Sequence, residues 1–201
     1  MKMQNLRVIL GITLTALLSG SVMAAPAGIS VVDVHYLDPG STMVYDASSK
    51  LVRTNKGVSM TIDTNGLYAG AYTVWWIIFN NPSACAHPIP AIGAMCGAED
   101  LGYDPDVYPD VLYATGNVVD EDGEGGFAAR LNMGDTSGSL FGPNAPGLMY
   151  PRHAEIHLVV RHHGEVIPSM MPAQIMTIGG GCGVNDCMDV QGAAHSPYSP
   201  W

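Results

Sequence analysis

Hydrophobic and polar residues alternate with a period of two along most of the chain, and Gly, Pro, Asn or Asp bounds each alternating segment. This pattern is typical of β-strands that are buried on one face. No window shows a 3.6-residue stripe, so at most a short helical turn is expected, around residues 93–102. We predict an all-β fold, a single Greek-key-type β-sandwich of eight or nine strands. The predicted strands cover residues 29–37, 41–46, 57–64, 71–80, 111–119, 126–133, 154–163, 173–181 and 188–195.

Two long segments without strand patterning interrupt the sandwich, residues 81–110 and 134–152. The first is too long for a passive connection, so we expect a disulfide to pin it. The adjacent Trp75 and Trp76 must point to opposite faces of their strand. One is expected in the core, and the other either forms an exposed aromatic platform or lies beneath a long loop.

The first residues have the pattern of a secretory signal peptide rather than of the fold. Lys2 and Arg7 precede an apolar run, and small residues follow up to Ala24. We therefore predict a signal peptide over residues 1–24 and one domain over residues 25–201. The protein is expected to be exported, to the periplasm or the medium, and no later segment is apolar enough to span a membrane.

Charge and cysteines fit that destination. Without Lys2 and Arg7, six basic residues stand against 18 acidic ones, a net charge of −12 that disfavours nucleic acid. In an oxidising compartment two disulfides are the default. Local pairing, Cys85 with Cys96 and Cys182 with Cys187, closes two short loops and is preferred here. A thiolate zinc site is the alternative, although neither pair has zinc-knuckle spacing.

Four of the seven histidines lie between residues 151 and 166. On a strand, His153, Glu155 and His157 share one face, while the apolar residues between them share the other. The spacing allows an N,O,N ligand set for copper or zinc. His195 is the expected fourth ligand, because three residues in line seldom complete a site. The alternative is a polar strand face without metal, and a third hypothesis makes Glu155 a catalytic acid or base.

The sequence "HAEIHLVVRHHGEVIP" resembles the AHIHxG…GPVV stretch of CHRD domains, which are secreted β-sandwich modules. "ATGNVVDEDGEGGFAARL" resembles the hairpin before that stretch, so the similarity covers about residues 111–168. It implies a secreted β-sandwich without a settled activity. Glu155 stands where the family has its first histidine, and only His157 matches. The two-histidine strand is also similar to that of copper/zinc superoxide dismutases, and the rest of the chain resembles uncharacterised exported bacterial proteins.

Other chemistry is sparse. The acidic stretches 120–124 and 99–110 offer carboxylates suited to calcium. No nucleophile elbow, zinc-protease motif, phosphate loop or dinucleotide fingerprint is present. The first hypothesis is therefore an exported, non-enzymatic binding protein with a partner at the envelope or outside the cell, in its sharper form holding copper or zinc. A metal-dependent oxidoreductase or hydrolase using the same cluster is the second, and a purely structural surface component the third.

Overall fold

The described part of the chain consists of β-strands, turns and five short 3₁₀ helices. The structure is a computed structural model, and it describes residues 27–102 and 105–198. The predicted signal peptide, residues 1–24, lies outside the described residues. The eight strands are β1 (Gly28–Tyr36), β2 (Met43–Thr54), β3 (Gly57–Thr64), β4 (Gly70–Phe79), β5 (Pro109–Val119), β6 (Gly125–Asn132), β7 (Glu155–His162) and β8 (Met188–His195).

All eight strands belong to one antiparallel sheet in the order β5-β4-β7-β8-β1-β2-β3-β6. The sheet curls into a nearly closed barrel, so that its two edge strands, β5 and β6, contact one another. This confirms the all-β class. The segment that resembles a CHRD hairpin forms β5 and β6, but these two strands are not hydrogen-bonded as a hairpin, because β5 pairs with β4 and β6 pairs with β3.

Strand alternation builds the interior of the barrel. In β3, Val58, Met60 and Ile62 are buried while the residues between them are exposed. The same rule sends Ile156 and Leu158 of β7 into this interior cluster. Burying these side chains supplies the main driving force for closure, about 1.5–3 kcal/mol for each large aliphatic residue.

Strand β4 is buried on both faces along its whole length. Trp76 belongs to the interior cluster, whereas Trp75, Ile77 and Phe79 pack on the outer face. The segment 80–108 covers that outer face and adds Cys96 and Val107 to a second apolar cluster. The first long loop is therefore a lid on the sheet. Trp75, the outer tryptophan, is buried in this second cluster, so no exposed platform forms there.

A buried arginine links the start of β7 to the end of β8. Arg53 of β2 donates hydrogen bonds of 2.8–3.0 Å to the carbonyl oxygens of Pro151, Ala154, His195 and Ser196. Burial lowers its pKa to about 10, an effect opposed by the charge of Glu155, so the guanidinium stays protonated at neutral pH. The start of β7 and the end of β8 are thus fixed together by one side chain.

Two strand predictions differ from the structure. Strand β2 continues to Thr54, well beyond the predicted segment 41–46. The predicted strand 173–181 is instead a 3₁₀ turn, Ala173–Ile175, followed by further turns. Pro172 at its start and three glycines at its end favour turns over extended backbone. The helical turn expected around residues 93–102 is confirmed as Ala98–Leu101.

Candidate functional site

The outward face of β7 carries the polar residues that the alternation predicts. Glu155 and His157 both project away from the barrel interior, but neither faces open water. The lid 80–108 lies over them, so Glu155 is fully buried and His157 is 9% exposed. Glu155 and His157 therefore form a buried hydrogen-bonded pair, whereas His153 is exposed to solvent.

Glu155 anchors the lid to the sheet. Its carboxylate accepts hydrogen bonds from the backbone N–H groups of Met95 at 3.0 Å and Cys96 at 2.9 Å. Nε2 of His157 lies 2.8 Å from the same carboxylate. Three donors converging on two oxygens suit an ionised carboxylate, which accepts only. Sequence alternation predicted that Glu155 and His157 share a face, but not that the disulfide-bonded loop supplies two of the partners.

The tautomer of His157 follows from this contact. Since the carboxylate accepts, Nε2 carries a proton, and Nδ1 is an acceptor whenever this is the only proton on the ring. Among the described residues, the only fully buried side-chain nitrogen or oxygen atoms without a hydrogen-bond partner belong to Arg53 and His162. Nδ1 of His157 is not one of them, so it keeps access to solvent. The ring packs edge-on against Phe79 with centroids 5.1 Å apart, which holds its orientation.

His195 lies on the other side of the sheet. It pairs with Ile156 across the β7–β8 ladder, so both side chains point into the barrel. Its two ring nitrogens bond to the hydroxyls of Ser30 at 2.8 Å and Ser49 at 2.9 Å. Burial lowers the pKa of His195 to about 3, with smaller contributions from the charges of Arg53 and His157.

The structure therefore does not bring the four predicted metal ligands, His153, Glu155, His157 and His195, together. His153 is exposed in the turn before β7, and its backbone N–H bonds to the carbonyl of Tyr150. Glu155 is committed to the lid, and the side chain of His195 points into the barrel on the other face of the sheet. The register that puts His195 opposite Ile156 cannot be deduced from either strand alone, and this explains the difference.

A groove opens between the lid and the outer faces of β4, β7 and β8. Its volume is about 470 Å³, and among the described residues His157 and Asp189 are the only titratable side chains that line it. The remaining wall is apolar and includes Trp75, Ile77, Ile89, Ile92, Leu101 and Ile178. The lid does not pack flat on the strand, so a molecule in this space would contact His157.

His163 is a buried residue whose role the sequence did not indicate. It is fully buried, and Nε2 lies 2.8 Å from the hydroxyl of Thr73, which also accepts a 2.8 Å hydrogen bond from Nε1 of Trp75. Nδ1 lies 3.4 Å from Sγ of Cys187 and 3.8 Å from Sγ of Cys182. Burial lowers the pKa of His163, so the ring is neutral near pH 7. The only sequence signal was its place between a strand and Gly164.

Two groups of side chains in residues 27–102 and 105–198 have three potential metal-binding atoms within 4.8 Å of one another. They are His163 with Cys182 and Cys187, and Asp100 with Cys85 and Cys96. In both groups the cysteines form a disulfide. Because metals bind thiolates, these donors become available only after reduction. Asp100 is further committed to backbone N–H groups of the lid.

The acidic stretches are arranged differently from a calcium site. Asp122 and Glu124 line a shallow cavity with Asp46 and Asp63. Their oxygens are not among the groups that converge within 4.8 Å in the described residues. In the second stretch, Asp110 of β5 accepts hydrogen bonds from Ser139 and Gly147 and so holds the second long loop to the sheet. Residues 103 and 104 lie outside the described part. Calcium binding stays a prediction.

The predicted local disulfides are confirmed, Cys85 with Cys96 and Cys182 with Cys187. Two disulfides favour a location outside the cytoplasm. Over the described ranges, no helix has the length and apolarity needed to cross a membrane. No protein-family model matches the chain, and no curated protein matches its sequence. The CHRD resemblance of residues 111–168 stays a prediction.

Proposed function

We propose that this chain is an exported binding protein that holds a small, mainly apolar molecule in the groove beneath its lid. One observation carries the proposal: an apolar cavity of about 470 Å³ with His157 in its wall. Sites for small molecules in proteins commonly measure about 300–1,000 Å³ and combine apolar walls with a few polar groups. The signal-peptide pattern of residues 1–24 and the two disulfides support the exported part.

The polar groups of the groove select the ligand's polar end. His157 offers Nδ1 as an acceptor, because Glu155 fixes the proton on Nε2. Asp189 offers carboxylate oxygens, one of which is bonded to Arg161 at 2.7 Å. Both groups accept hydrogen bonds, so the ligand that fits is an apolar body with a donor, such as an alcohol, a phenol or an amine.

The alternatives differ in what they require of this groove. An oxidoreductase or hydrolase using the same cluster needs a metal beside His157, and the predicted ligands do not converge there. A purely structural surface component needs no ligand. A CHRD-like module at residues 111–168, which we retain as part of the proposal, is compatible with binding, and its support is the sequence of β7 and the strands before it.

The groove is tested with naphthalene derivatives of matched shape and the oxidised, untagged protein. We expect 2-naphthol to bind more tightly than 2-methoxynaphthalene by about 2–10-fold, the value of one net hydrogen bond. The His157→Phe variant should lose that preference while keeping some binding to both molecules. Fluorescence titration measures the affinities, and thermal melting confirms that the variant folds.

A substitution that fills the groove tests its location, and the same substitution outside the groove is the matched control. Ala98 and Ala173 are both exposed and both begin a 3₁₀ turn, but only Ala98 lines the groove. We expect Ala98→Trp to weaken naphthol binding at least tenfold and Ala173→Trp to leave it unchanged. Equal binding by both variants would overturn the groove as the site, and no binding by any form would favour the structural hypothesis.

Copper or zinc binding is the second candidate function. It is favoured by the two groups of potential ligands described above, His163 with Cys182 and Cys187, and Asp100 with Cys85 and Cys96. It is not favoured by the four residues predicted from the sequence. Elemental analysis of oxidised, untagged protein is expected to find no stoichiometric copper or zinc, because every cysteine of these groups is in a disulfide. A full equivalent of either metal in that sample would restore the site on β7.

A further inference from the structure

The corner formed by β4, the end of β7 and the loop before β8 places a histidine against a disulfide. We propose that reduction of Cys182–Cys187 opens a binding site for Cu⁺ or Zn²⁺, with the two thiolates and Nδ1 of His163 as ligands. The inference rests on the metal candidate above and is independent of the groove, which is tested on oxidised protein.

The three donor atoms already face one another. Nδ1 of His163 lies 3.4 Å and 3.8 Å from the two sulfurs, and all three atoms fall within 4.8 Å. Metal–sulfur bonds of about 2.3 Å in a tetrahedral site require sulfurs about 3.8 Å apart. Rotation of two half-buried side chains in a turn can supply that separation without moving a strand.

Contacts other than the disulfide hold the loop in place. The side chain of Asn185 donates a 2.8 Å hydrogen bond to the carbonyl of His163, and its backbone N–H bonds to Gly181. Asn185 also packs so closely on Gly164 that an added Cβ there would lie 2.4 Å from it. The two cysteines therefore stay near His163 when the sulfur–sulfur bond is broken.

The ring of His163 is oriented as a metal ligand requires. Ligating histidines usually donate their second N–H to a fixed acceptor. Here the hydroxyl of Thr73 lies 2.8 Å from Nε2, and Trp75 holds that hydroxyl in turn. With the proton on Nε2, Thr73 accepts from both rings, and Nδ1 is free for the ion.

The donor set selects a soft or borderline ion. Two thiolates with one imidazole match three-coordinate Cu⁺, or Zn²⁺ with a fourth position open to water. The site lies in a protein with 18 acidic and eight basic residues, whose field attracts cations.

Opening the site requires an external dithiol as the reductant. The dithiol passes two electrons to the Cys182–Cys187 bond and becomes a disulfide itself, leaving two cysteine thiols on this protein. Metal binding then releases both thiol protons. The proton of the neutral imidazole stays on Nε2, which faces Thr73, so His163 binds the ion through Nδ1 and remains uncharged. While the ion is bound, the thiolates are protected from reoxidation.

The experiment compares oxidised and reduced protein under argon, with Cd²⁺ as an optical substitute followed by Zn²⁺ and Cu⁺. Native mass spectrometry counts the ions, and the thiolate-to-cadmium charge-transfer absorption reports sulfur ligation. We expect one ion per reduced chain and none at this site in the oxidised chain. Bound ion should also slow the return of the disulfide in air by at least tenfold.

Variants separate the site from other thiols and histidines. Reduced Cys182→Ser/Cys187→Ser protein keeps the other cysteine pair and should lose the ion. His163→Gln should weaken binding at least tenfold, whereas the control His153→Gln, at an exposed histidine, should not; circular dichroism verifies that each is folded. Equal uptake by reduced wild type and the double-serine variant would overturn the proposal, and unchanged affinity in His163→Gln would remove the histidine from it.

Discussion

At the scale of single residues, buried polar side chains in this protein hold loops and strands together. Glu155 fixes the lid through two backbone N–H groups, and Arg53 fixes two strand ends through four carbonyls. Such groups are costly to bury unless every partner is present. Their replacement should therefore change stability more than their small number implies.

Glu155→Gln should destabilise the protein by about 1–3 kcal/mol, because the amide NH₂ replaces an acceptor that faces donors. Urea unfolding measures the loss, and hydrogen exchange should become faster at Met95 and Cys96. Glu165→Gln, at an exposed glutamate, is the control and should change stability by less than about 0.5 kcal/mol. Equal stability of both variants would contradict the anchoring role.

His195 makes stability depend on pH. Burial holds its folded-state pKa at about 3, below the ordinary histidine value of 6.5, so between these pH values the unfolded chain binds a proton that the folded chain does not. The contribution of His195 to the free energy of unfolding is therefore fully present above about pH 6.5. It is lost as the pH falls towards 3, by at most about 5 kcal/mol. His162 and His163 have pKa values shifted in the same direction.

The His195→Gln variant should flatten part of that pH dependence between pH 6.5 and 3. Chemical unfolding at several pH values gives the slope for both proteins. A variant with the same slope as the wild type would show that His195 is not the group responsible.

At the scale of elements, the alternation of residues predicted most strands but not their environment. The pattern of β3 and β7 correctly separated inner from outer residues. It could not show that segment 80–108 covers β4, because lid placement depends on contacts far apart in sequence. The β7–β8 register has an irregularity between Val160 and Arg161, and such a shift leaves no periodic trace in sequence.

The turn between β2 and β3 depends on a glycine. Gly57 has φ of +153°, and an added Cβ would lie 2.3 Å from the carbonyl oxygen of Leu131 in β6. We expect Gly57→Ala to cost about 2 kcal/mol or more, from strain and this clash.

Gly126→Ala in β6 is the matched control, since an added Cβ there meets nothing within 4 Å. Its effect should stay within about 0.5 kcal/mol. Thermal or urea unfolding compares the two, and a difference of less than about 1 kcal/mol would contradict the close approach.

At the scale of the whole molecule, both disulfides close loops outside the sheet. Neither crosslinks two strands: Cys85–Cys96 lies within the lid, and Cys182–Cys187 lies before β8. The barrel should therefore survive their reduction, while the lid loosens.

Reduced protein should keep its β-sheet circular dichroism at 25 °C and lose about 2–4 kcal/mol of unfolding free energy, as is typical when loops are no longer crosslinked. The Cys182→Ser/Cys187→Ser variant, measured oxidised, isolates the share of the shorter loop. Loss of sheet signal on reduction at 25 °C would show that the disulfides hold the barrel itself.

The last strand along the chain, β8, sits in the middle of the sheet, between β7 and β1. Until the ribosome has synthesised it, the earlier strands can form only two separate, open pieces, one built on β4 and the other on β2. The pairings of β8 with β7 and with β1 join these pieces, so the native barrel cannot be completed before residues 188–195 are synthesised. Such late completion keeps the apolar faces of both pieces exposed in the nascent chain, which is compatible with the export that we propose.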